Sequence, residues 1–268
     1  MPERHPCTVL TRRRLLLAAG RVAGAALLTG CAVRLPGAPG APGAEGAAVL
    51  TARPTAPPDL PPPPPGTSAL GLEETRDPLL HVPAAGVPGP APLVVVLHGA
   101  GGDAAAGLGL LQSLADERGL VLLAPASRGS TWDAVLRAYG PDVAGIDRAL
   151  TAVLRRVPVD AGRVAVAGFS DGASYALGLG LANGLLFRRV VAFSPGFVPP
   201  AARTGRPPVF VSHGTADDVL PVERTSREIV PALRDDGYDV TYREFAGGHV
   251  VPPEVAREAV DRLGGTGD

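Results

Sequence analysis

The segment Gly168–Gly172, with the sequence Gly-Phe-Ser-Asp-Gly, carries the sharpest chemical signal in the chain. It follows a predicted strand at 163–167 and opens a predicted helix at 172–183. G-x-S-x-G between a strand and a helix is typical of a nucleophile elbow, a tight turn that projects the serine hydroxyl above a sheet. The two glycines are needed because a Cβ at either position would collide with the neighbouring strand or helix. Ser170 is therefore the candidate nucleophile.

A serine hydroxyl needs a base before it can attack a substrate. Of the five histidines, His249 lies between the last predicted strand and the last predicted helix, directly after Gly247 and Gly248. This flexible glycine pair lets the loop curl over the sheet. We predict that His249 acts as general base toward Ser170 and then as general acid toward the leaving group.

A third group must hold the imidazole in the correct tautomer and stabilise its cation. Two adjacent carboxylates, Asp217 and Asp218, follow a predicted strand at 209–212. Spacing alone does not separate neighbouring residues, so both are candidates at this point. With either one, the order along the chain is Ser, Asp, His.

A second glycine-rich turn, His-Gly-Ala-Gly-Gly at 98–102, follows a predicted strand at 93–97. It lacks the Gly-Lys-Ser/Thr ending of a P-loop and the G-x-G-x-x-G spacing, so a phosphate site is disfavoured. Backbone N–H groups at such a turn can instead bind the oxyanion that forms during acyl transfer. We predict Ala100 as one donor, with Gly101 as its alternative, and Asp171 as the second donor.

Alternating elements make up the rest of the domain. The predicted strands are 93–97, 120–124, 163–167, 190–193, 209–212 and 239–245, and the predicted helices are 103–117, 142–156, 172–183, 222–236 and 253–263. This alternation predicts an α/β fold with a mostly parallel sheet and helices on both faces. Residues 70–90 are expected to add one or two antiparallel edge strands. The connection at 197–208 is too short for a lid, which predicts an open site without a large cap domain.

These motifs resemble the α/β-hydrolase superfamily and, within it, the phospholipase/carboxylesterase and dienelactone-hydrolase-like esterases. The matching stretches are 97–102, 168–172, 213–221 and 247–249. The resemblance covers residues from about 90 to 263 and misses the N-terminal third. It implies a serine carboxylesterase-type hydrolase that acts on small-molecule esters or thioesters without a metal or cofactor.

The resemblance also bears on two individual residues. The acid of these esterases is the Asp of H-G-x-x-D, which maps onto Asp217 and leaves Asp218 as the alternative. Many members have Gln after the serine, where this chain has Asp171. A carboxylate at that position would disfavour anionic substrates, unless it serves only to cap the helix.

Trp132 is the only tryptophan and follows the predicted strand 120–124. That loop lies on the edge of the sheet where open α/β folds bind ligands. Trp132 and Gly101 are therefore possible pocket residues. Packing of Trp132 in the core against a helix is the equally weighted alternative.

Composition excludes several classes of function. A net charge of −1 argues against a nucleic-acid binder. All 25 basic residues are arginine, which removes Schiff-base lysines and Ser-Lys dyads from consideration. The two cysteines, Cys7 and Cys31, are too few for a disulfide framework or a Cys/His zinc site. The sequence leaves the oligomeric state open.

The N-terminal residues resemble an export signal. Arg12 and Arg13 precede a short apolar stretch, as in twin-arginine signals, and Leu-Thr-Gly-Cys at 28–31 resembles a bacterial lipobox. We expect a signal peptide at 1–30, a lipidated Cys31 with a proline-rich linker at 31–68, and a catalytic domain at 69–268. The protein would then be exported and held on the outer side of the cytoplasmic membrane by its lipid alone.

Two other functions remain open at this stage. One is a surface-tethered binding module that keeps the hydrolase scaffold without its activity, since a fold does not fix a function. The other is a serine peptidase, which uses the same three groups. The complete set of three motifs favours the esterase over the first, and the lack of a cap favours it over the second.

Overall fold

Eight strands form a single sheet in the computed structural model, which describes residues 48–54, 57–72 and 75–263. The strands are β1 (Gly66–Ala69), β2 (Leu79–Val82), β3 (Ala91–Leu97), β4 (Val121–Ala124), β5 (Val159–Phe169), β6 (Arg189–Phe193), β7 (Val209–Gly214) and β8 (Val240–Phe245). Their order across the sheet is β1-β2-β4-β3-β5-β6-β7-β8. β2 is antiparallel to both β1 and β4, and all other pairs are parallel.

Helices cover both faces of this sheet. They are α1 (Ala104–Gly109), α2 (Gln112–Arg118), α3 (Asp133–Leu136), α4 (Pro141–Leu154), α5 (Asp171–Ala182), α6 (Ser226–Asp235) and α7 (Pro253–Asp261). β3 shows why two cores form, because all seven of its residues are buried and alternate side chains enter opposite cores. The predicted mostly parallel sheet is confirmed. Between Phe193 and Val209 the described chain has neither a helix nor a strand, so no large cap covers the sheet edge.

The strand register brings the predicted site residues to one edge. Leu97 pairs with Gly168, so the turn after β3 lies beside the turn after β5. Gly214 pairs with Phe245, so the loops after β7 and β8 leave the sheet together. All four strands are parallel, and their carboxyl ends therefore deliver the motifs to the same side.

Two of the predicted helices are interrupted in the structure. The predicted helix 103–117 is divided into α1 and α2, with a break at Leu110 and Leu111. Gly107 and Gly109 weaken helical continuity in α1. Gly107 is also required there because a Cβ would approach the Val96 carbonyl oxygen to 2.9 Å. The predicted helix 222–236 begins as a 3₁₀ turn and continues as α6 only after Thr225.

The folded part begins earlier than the predicted boundary at residue 69. All of the described residues belong to one compact unit. Ala48 and Leu50 are buried in the core, where the Asn183 side chain accepts from the Leu50 N–H and donates to the Ala48 carbonyl. β1 also starts inside the predicted linker, at Gly66. The linker 31–68 is therefore too long as predicted.

The predicted signal peptide and Cys31 lie outside the described residues. In the part of the chain that the structure describes, no helix is long and apolar enough to span a bilayer.

Candidate active site

Ser170 occupies the turn between β5 and α5, with φ 57° and ψ −122°. This left-handed φ is rare for a residue with a side chain and must be held by its surroundings. The Ser170 N–H donates to the Phe193 carbonyl of β6 at 2.9 Å. A Cβ on Gly168 would collide with the Gly172 backbone, and one on Gly172 would collide with the Leu97 and His98 carbonyls. The predicted steric need for both glycines is confirmed.

The structure brings Ser170, His249 and Asp217 into one hydrogen-bonded chain. His249 Nε2 lies 2.9 Å from Ser170 Oγ, and His249 Nδ1 lies 2.6 Å from Asp217 Oδ2. Ser170 is 8% exposed and the Asp217 side chain is fully buried, whereas the His249 ring is partly open to solvent. The face of His249 packs against Phe169, with ring centroids 4.6 Å apart.

The Asp217 carboxylate is held from two sides. Its Oδ1 accepts the N–H groups of Val219 and Leu220, at 3.0 and 2.8 Å, and its Oδ2 faces His249. Burial raises the pKa of this carboxyl, but the Leu220 N–H and the His249 ring outweigh burial and lower that pKa below its ordinary value. Asp217 is therefore ionised and the proton lies on His249 Nδ1. The alternative acid, Asp218, is exposed and does not contact His249.

His213 is a neighbour of the site that the sequence analysis did not assign. Its Nε2 lies 2.7 Å from the Leu220 carbonyl and 3.2 Å from Asp217 Oδ2, and its Nδ1 lies 2.7 Å from Ser226 Oγ. Because a carbonyl only accepts, Nε2 carries the proton and Nδ1 accepts from the serine hydroxyl. Burial lowers the pKa of His213, which keeps the ring neutral. His213 thus stabilises the loop that carries Asp217 through its contacts with Leu220 and Asp217. The only signal in the sequence was its position directly after the predicted strand 209–212, and the structure includes it in β7.

Two N–H groups flank Ser170 without a partner of their own. In the described chain neither the Ala100 N–H nor the Asp171 N–H donates a hydrogen bond. Gly101, the alternative to Ala100, is wrong as a donor because its N–H is bonded to the Ser130 carbonyl at 2.6 Å. A Cβ on Gly99 would lie 3.4 Å from the Ser170 Cβ, which shows how closely this turn approaches the serine.

Trp132 is a core residue, and its predicted role as a pocket wall is wrong. The side chain is fully buried between the rings of His98 and Tyr175, at centroid distances of 4.8 and 5.1 Å. Its indole N–H donates to the His98 carbonyl at 2.9 Å. The ring therefore supports the turn after β3 from inside. Gly101, the other possible pocket residue, is exposed at the tip of that turn.

The loop after β4 is hydrogen-bonded to the turn after β3. His98 Nε2 accepts the Ser127 N–H at 3.0 Å, while His98 Nδ1 lies 2.7 Å from the Gly99 carbonyl. Burial lowers the pKa of His98, so this histidine too is neutral. Thr131 Oγ1 donates to Asp171 Oδ2 at 2.7 Å, which joins the same loop to the start of α5.

Three large apolar side chains are exposed in the loops that follow β6, β7 and β8. Phe197, Val219 and Val250 are exposed by 40%, 61% and 52%, and the last two are close in sequence to Asp217 and His249. Among the described residues no group of three or more His, Cys, Asp or Glu side chains could hold a metal ion. Because the loops after β6, β7 and β8 follow the carboxyl ends of parallel strands, they lie at the same edge of the sheet as Ser170.

A family model for phospholipase/carboxylesterase matches residues 144–261. This segment contains all three members of the hydrogen-bonded chain. The chain has the α/β-hydrolase fold. The predicted fold class and the predicted resemblance to the esterases of this superfamily are both confirmed. No curated protein matches the chain.

Solved structures of similar proteins include esterases. Esterase PE8 is 24% identical, with a TM-score of 0.57, over 69% of this chain and 95% of its own. A phospholipase/carboxylesterase from Dyadobacter fermentans is 23% identical, with a TM-score of 0.52, over 66% and 90%. A truncated carbohydrate esterase from gut microbiota is 14% identical, with a TM-score of 0.61, over 78% and 98%. At these identities the likeness describes the α/β-hydrolase fold alone.

Proposed function

We propose that this α/β-hydrolase is a serine hydrolase that cleaves carboxylic esters or thioesters through an acyl-enzyme. The observation that carries the proposal is the unbroken contact from Ser170 Oγ through both ring nitrogens of His249 to the Asp217 carboxylate. A nucleophile, a base and a group that orients the base, each within hydrogen-bond reach of the next, form the arrangement that such chemistry needs.

In the first half of the reaction, His249 Nε2 takes the Ser170 proton while Oγ attacks the carbonyl carbon. The electron pair of the C=O bond moves to the carbonyl oxygen, which becomes an oxyanion. The Ala100 and Asp171 N–H groups are free to donate to this oxygen, and the N-terminus of α5 adds a favourable dipole. Asp217 stabilises the imidazolium that has formed.

In the second half, the imidazolium gives its proton to the leaving oxygen or sulfur, the alcohol or thiol departs, and the acyl group stays on Ser170. Water then gives a proton to His249 Nε2 and attacks the acyl carbon. Collapse of the second tetrahedral intermediate returns the proton to Ser170 and releases the carboxylic acid. His249 thus acts alternately as base and acid, with Asp217 ionised throughout.

Turnover of aryl acetates is the expected activity, because the described chain has no large cap over the sheet edge and exposes apolar side chains in the loops after β6, β7 and β8. Peptide anilides of matched size are expected to be inert. Rapid cleavage of the anilides would favour a serine peptidase. Absence of both activities, in protein that is folded, would favour a binding module on a hydrolase scaffold.

The Asp171 carboxylate supports a preference against anionic acyl groups. It belongs to the same residue as one oxyanion donor, and its one side-chain partner in the described chain is the neutral Thr131 hydroxyl. A negative charge this close repels an anionic acyl group, at a cost of about 1 kcal/mol or more. We expect Asp171→Asn to raise the ratio of kcat/KM for anionic over neutral esters by about fivefold to tenfold.

The substrates for this comparison share one leaving group, as 4-nitrophenyl butanoate and the 4-nitrophenyl monoester of succinate do. Asp218→Asn is the matched control, because it removes an exposed carboxylate that belongs to neither oxyanion donor. The ratio should stay within about twofold of wild type in this control. An unchanged ratio in Asp171→Asn would show that the Asp171 carboxylate does not affect the choice of substrate and acts only at the N-terminus of α5.

We further propose that the chain is exported and lipidated at Cys31, as the resemblance of 28–31 to a lipobox supports. Bacterial cells that express the full chain with a labelled fatty acid should then label it and carry it in the membrane fraction. Cys31→Ser should lose both properties, whereas Cys7→Ser, within the predicted signal peptide, should keep them. Label that survives Cys31→Ser would contradict the assignment.

A further inference from the structure

Arg76 is a half-buried residue between β1 and β2, in a segment with no recognisable sequence motif. Its guanidinium contacts main-chain carbonyl groups rather than a carboxylate. Nη1 donates to the carbonyls of Ser127 and Gly129, both at 2.7 Å, and Nη2 donates to the carbonyl of Gly102. No ion pair found among the described residues includes Arg76.

These carbonyls belong to two loops, the turn after β3 that presents Ala100 and the loop after β4. Gly102 closes the turn that presents Ala100, since its N–H returns to the Gly99 carbonyl at 3.1 Å. Ser127 and Gly129 lie in the loop after β4, which bonds the same turn through Gly101 and His98. Arg76 therefore fastens both loops from a third segment, which lies outside the family-matching residues 144–261.

A guanidinium suits this position because its planar donors can bind several carbonyl oxygens at once. Removing it would leave the Gly102 and Gly129 carbonyls without this donor and would free the turn to rotate. Rotation changes where the Ala100 N–H points, and an oxyanion donor stabilises charge only when it points at the developing oxygen.

We propose that Arg76 is a positioning residue that sets the oxyanion-binding geometry of Ala100. The proposal rests on the proposed serine hydrolase function. It assigns to the N-terminal part of the domain a role in transition-state stabilisation without contact to the substrate. The effect is expected in kcat, because the oxyanion exists only in the transition state and the adjoining intermediates.

The test compares Arg76→Ala with wild type on a neutral aryl ester. We expect kcat to fall by about 10- to 100-fold with KM within about threefold, since loss of a whole oxyanion donor costs about 10²–10³. Affinity for a trifluoromethyl ketone, which forms the tetrahedral oxyanion on Ser170, should fall by the same factor as kcat/KM. Millimolar guanidinium should restore part of kcat in this variant and leave wild type unchanged.

Arg53→Ala is the matched control, because the Arg53 guanidinium also donates to main-chain carbonyls, those of Leu50 and Ala52, but in a segment away from the site loops. Its kcat should equal that of wild type. Arg76→Lys keeps the positive charge but lacks the planar set of donors, so its kcat should lie between those of wild type and Arg76→Ala. This variant is used for the test if Arg76→Ala does not fold.

Unchanged kcat in folded Arg76→Ala would overturn the proposal. So would a loss that is confined to KM, or a loss in Arg76→Ala that guanidinium fails to restore. Failure of the hydrolase function itself is distinguishable, because wild-type protein would then show no labelling by a fluorophosphonate. If only the Arg76 proposal fails, wild type and variant label Ser170 at equal rates.

Discussion

Ser170→Ala is expected to remove essentially all ester hydrolysis, with kcat lower by about 10⁴- to 10⁶-fold. The variant keeps the base and the oxyanion donors but has no atom that can form the acyl-enzyme. The fold should survive, because alanine leaves the Ser170 main-chain bond to Phe193 in place and adds no volume. Steady-state hydrolysis of an aryl acetate measures the loss, and thermal unfolding checks the fold.

Ser212→Ala serves as the control for loss of a buried hydroxyl. Ser212 lies near the end of β7, and its Oγ is buried with no hydrogen-bond partner in the described chain. Its removal should leave kcat within about twofold of wild type, because no step of the reaction uses that hydroxyl. Residual activity above about one hundredth of wild type in Ser170→Ala would point to another nucleophile.

Asp217→Asn is the second large effect, with an expected loss of about 10⁴ in kcat. The amide can still accept the N–H groups of Val219 and Leu220, so the loop should keep its shape. However, an amide in place of the carboxylate cannot stabilise the imidazolium and can turn its NH₂ toward His249 Nδ1. The ring would then carry its proton on Nε2, where Ser170 needs a base.

Asp218→Asn separates this effect from a general change of charge. Both substitutions remove one unit of negative charge from adjacent positions, but Asp218 is exposed and Asp217 is buried against His249. We expect near wild-type kcat for the Asp218 variant. Equal losses in the two variants would show that His249 is oriented by another group, and a larger loss at Asp218 would reverse the assignment.

Local patterns predicted the parts of the site that local chemistry dictates. The turn around Ser170 is defined by five consecutive residues, because its strained φ and close backbone contacts demand glycine on either side. The buried strand β3 was equally clear, since an apolar β-branched run suits a strand covered on both faces. The placement of His249 followed from its position between the last strand and the last helix.

Local patterns could not decide between neighbouring residues whose roles depend on contacts with distant parts of the chain. Asp217 and Asp218 differ in burial, and Asp217 is the one that accepts the Leu220 N–H and faces His249. Ala100 and Gly101 differ as donors because the Ser130 carbonyl, from the loop after β4, accepts the Gly101 N–H. Neighbouring residues of similar chemistry thus take different roles through partners that lie elsewhere in the chain.

The N-terminal segment also makes long-range contacts that local sequence patterns do not predict. The backbone groups of Ala48 and Leu50 are hydrogen-bonded in the core to the side chain of Asn183, which lies more than 130 residues later in the sequence. A proline-rich composition predicted an extended chain there and carried no sign of this contact. The role of Arg76 could not be predicted from the sequence either, because no motif surrounds it and its carbonyl partners lie after β3 and β4.

The most direct test of the account is covalent labelling of the purified protein with a fluorophosphonate probe, followed by peptide mass spectrometry. The hydrogen-bonded chain from Ser170 to Asp217 predicts one adduct per molecule, located on Ser170 and absent from Ser170→Ala. Labelling should be slowed strongly in Asp217→Asn and little in Asp218→Asn. Folded wild-type protein that takes up no probe, or takes it up at another residue, would contradict the assignment of Ser170 as an activated nucleophile.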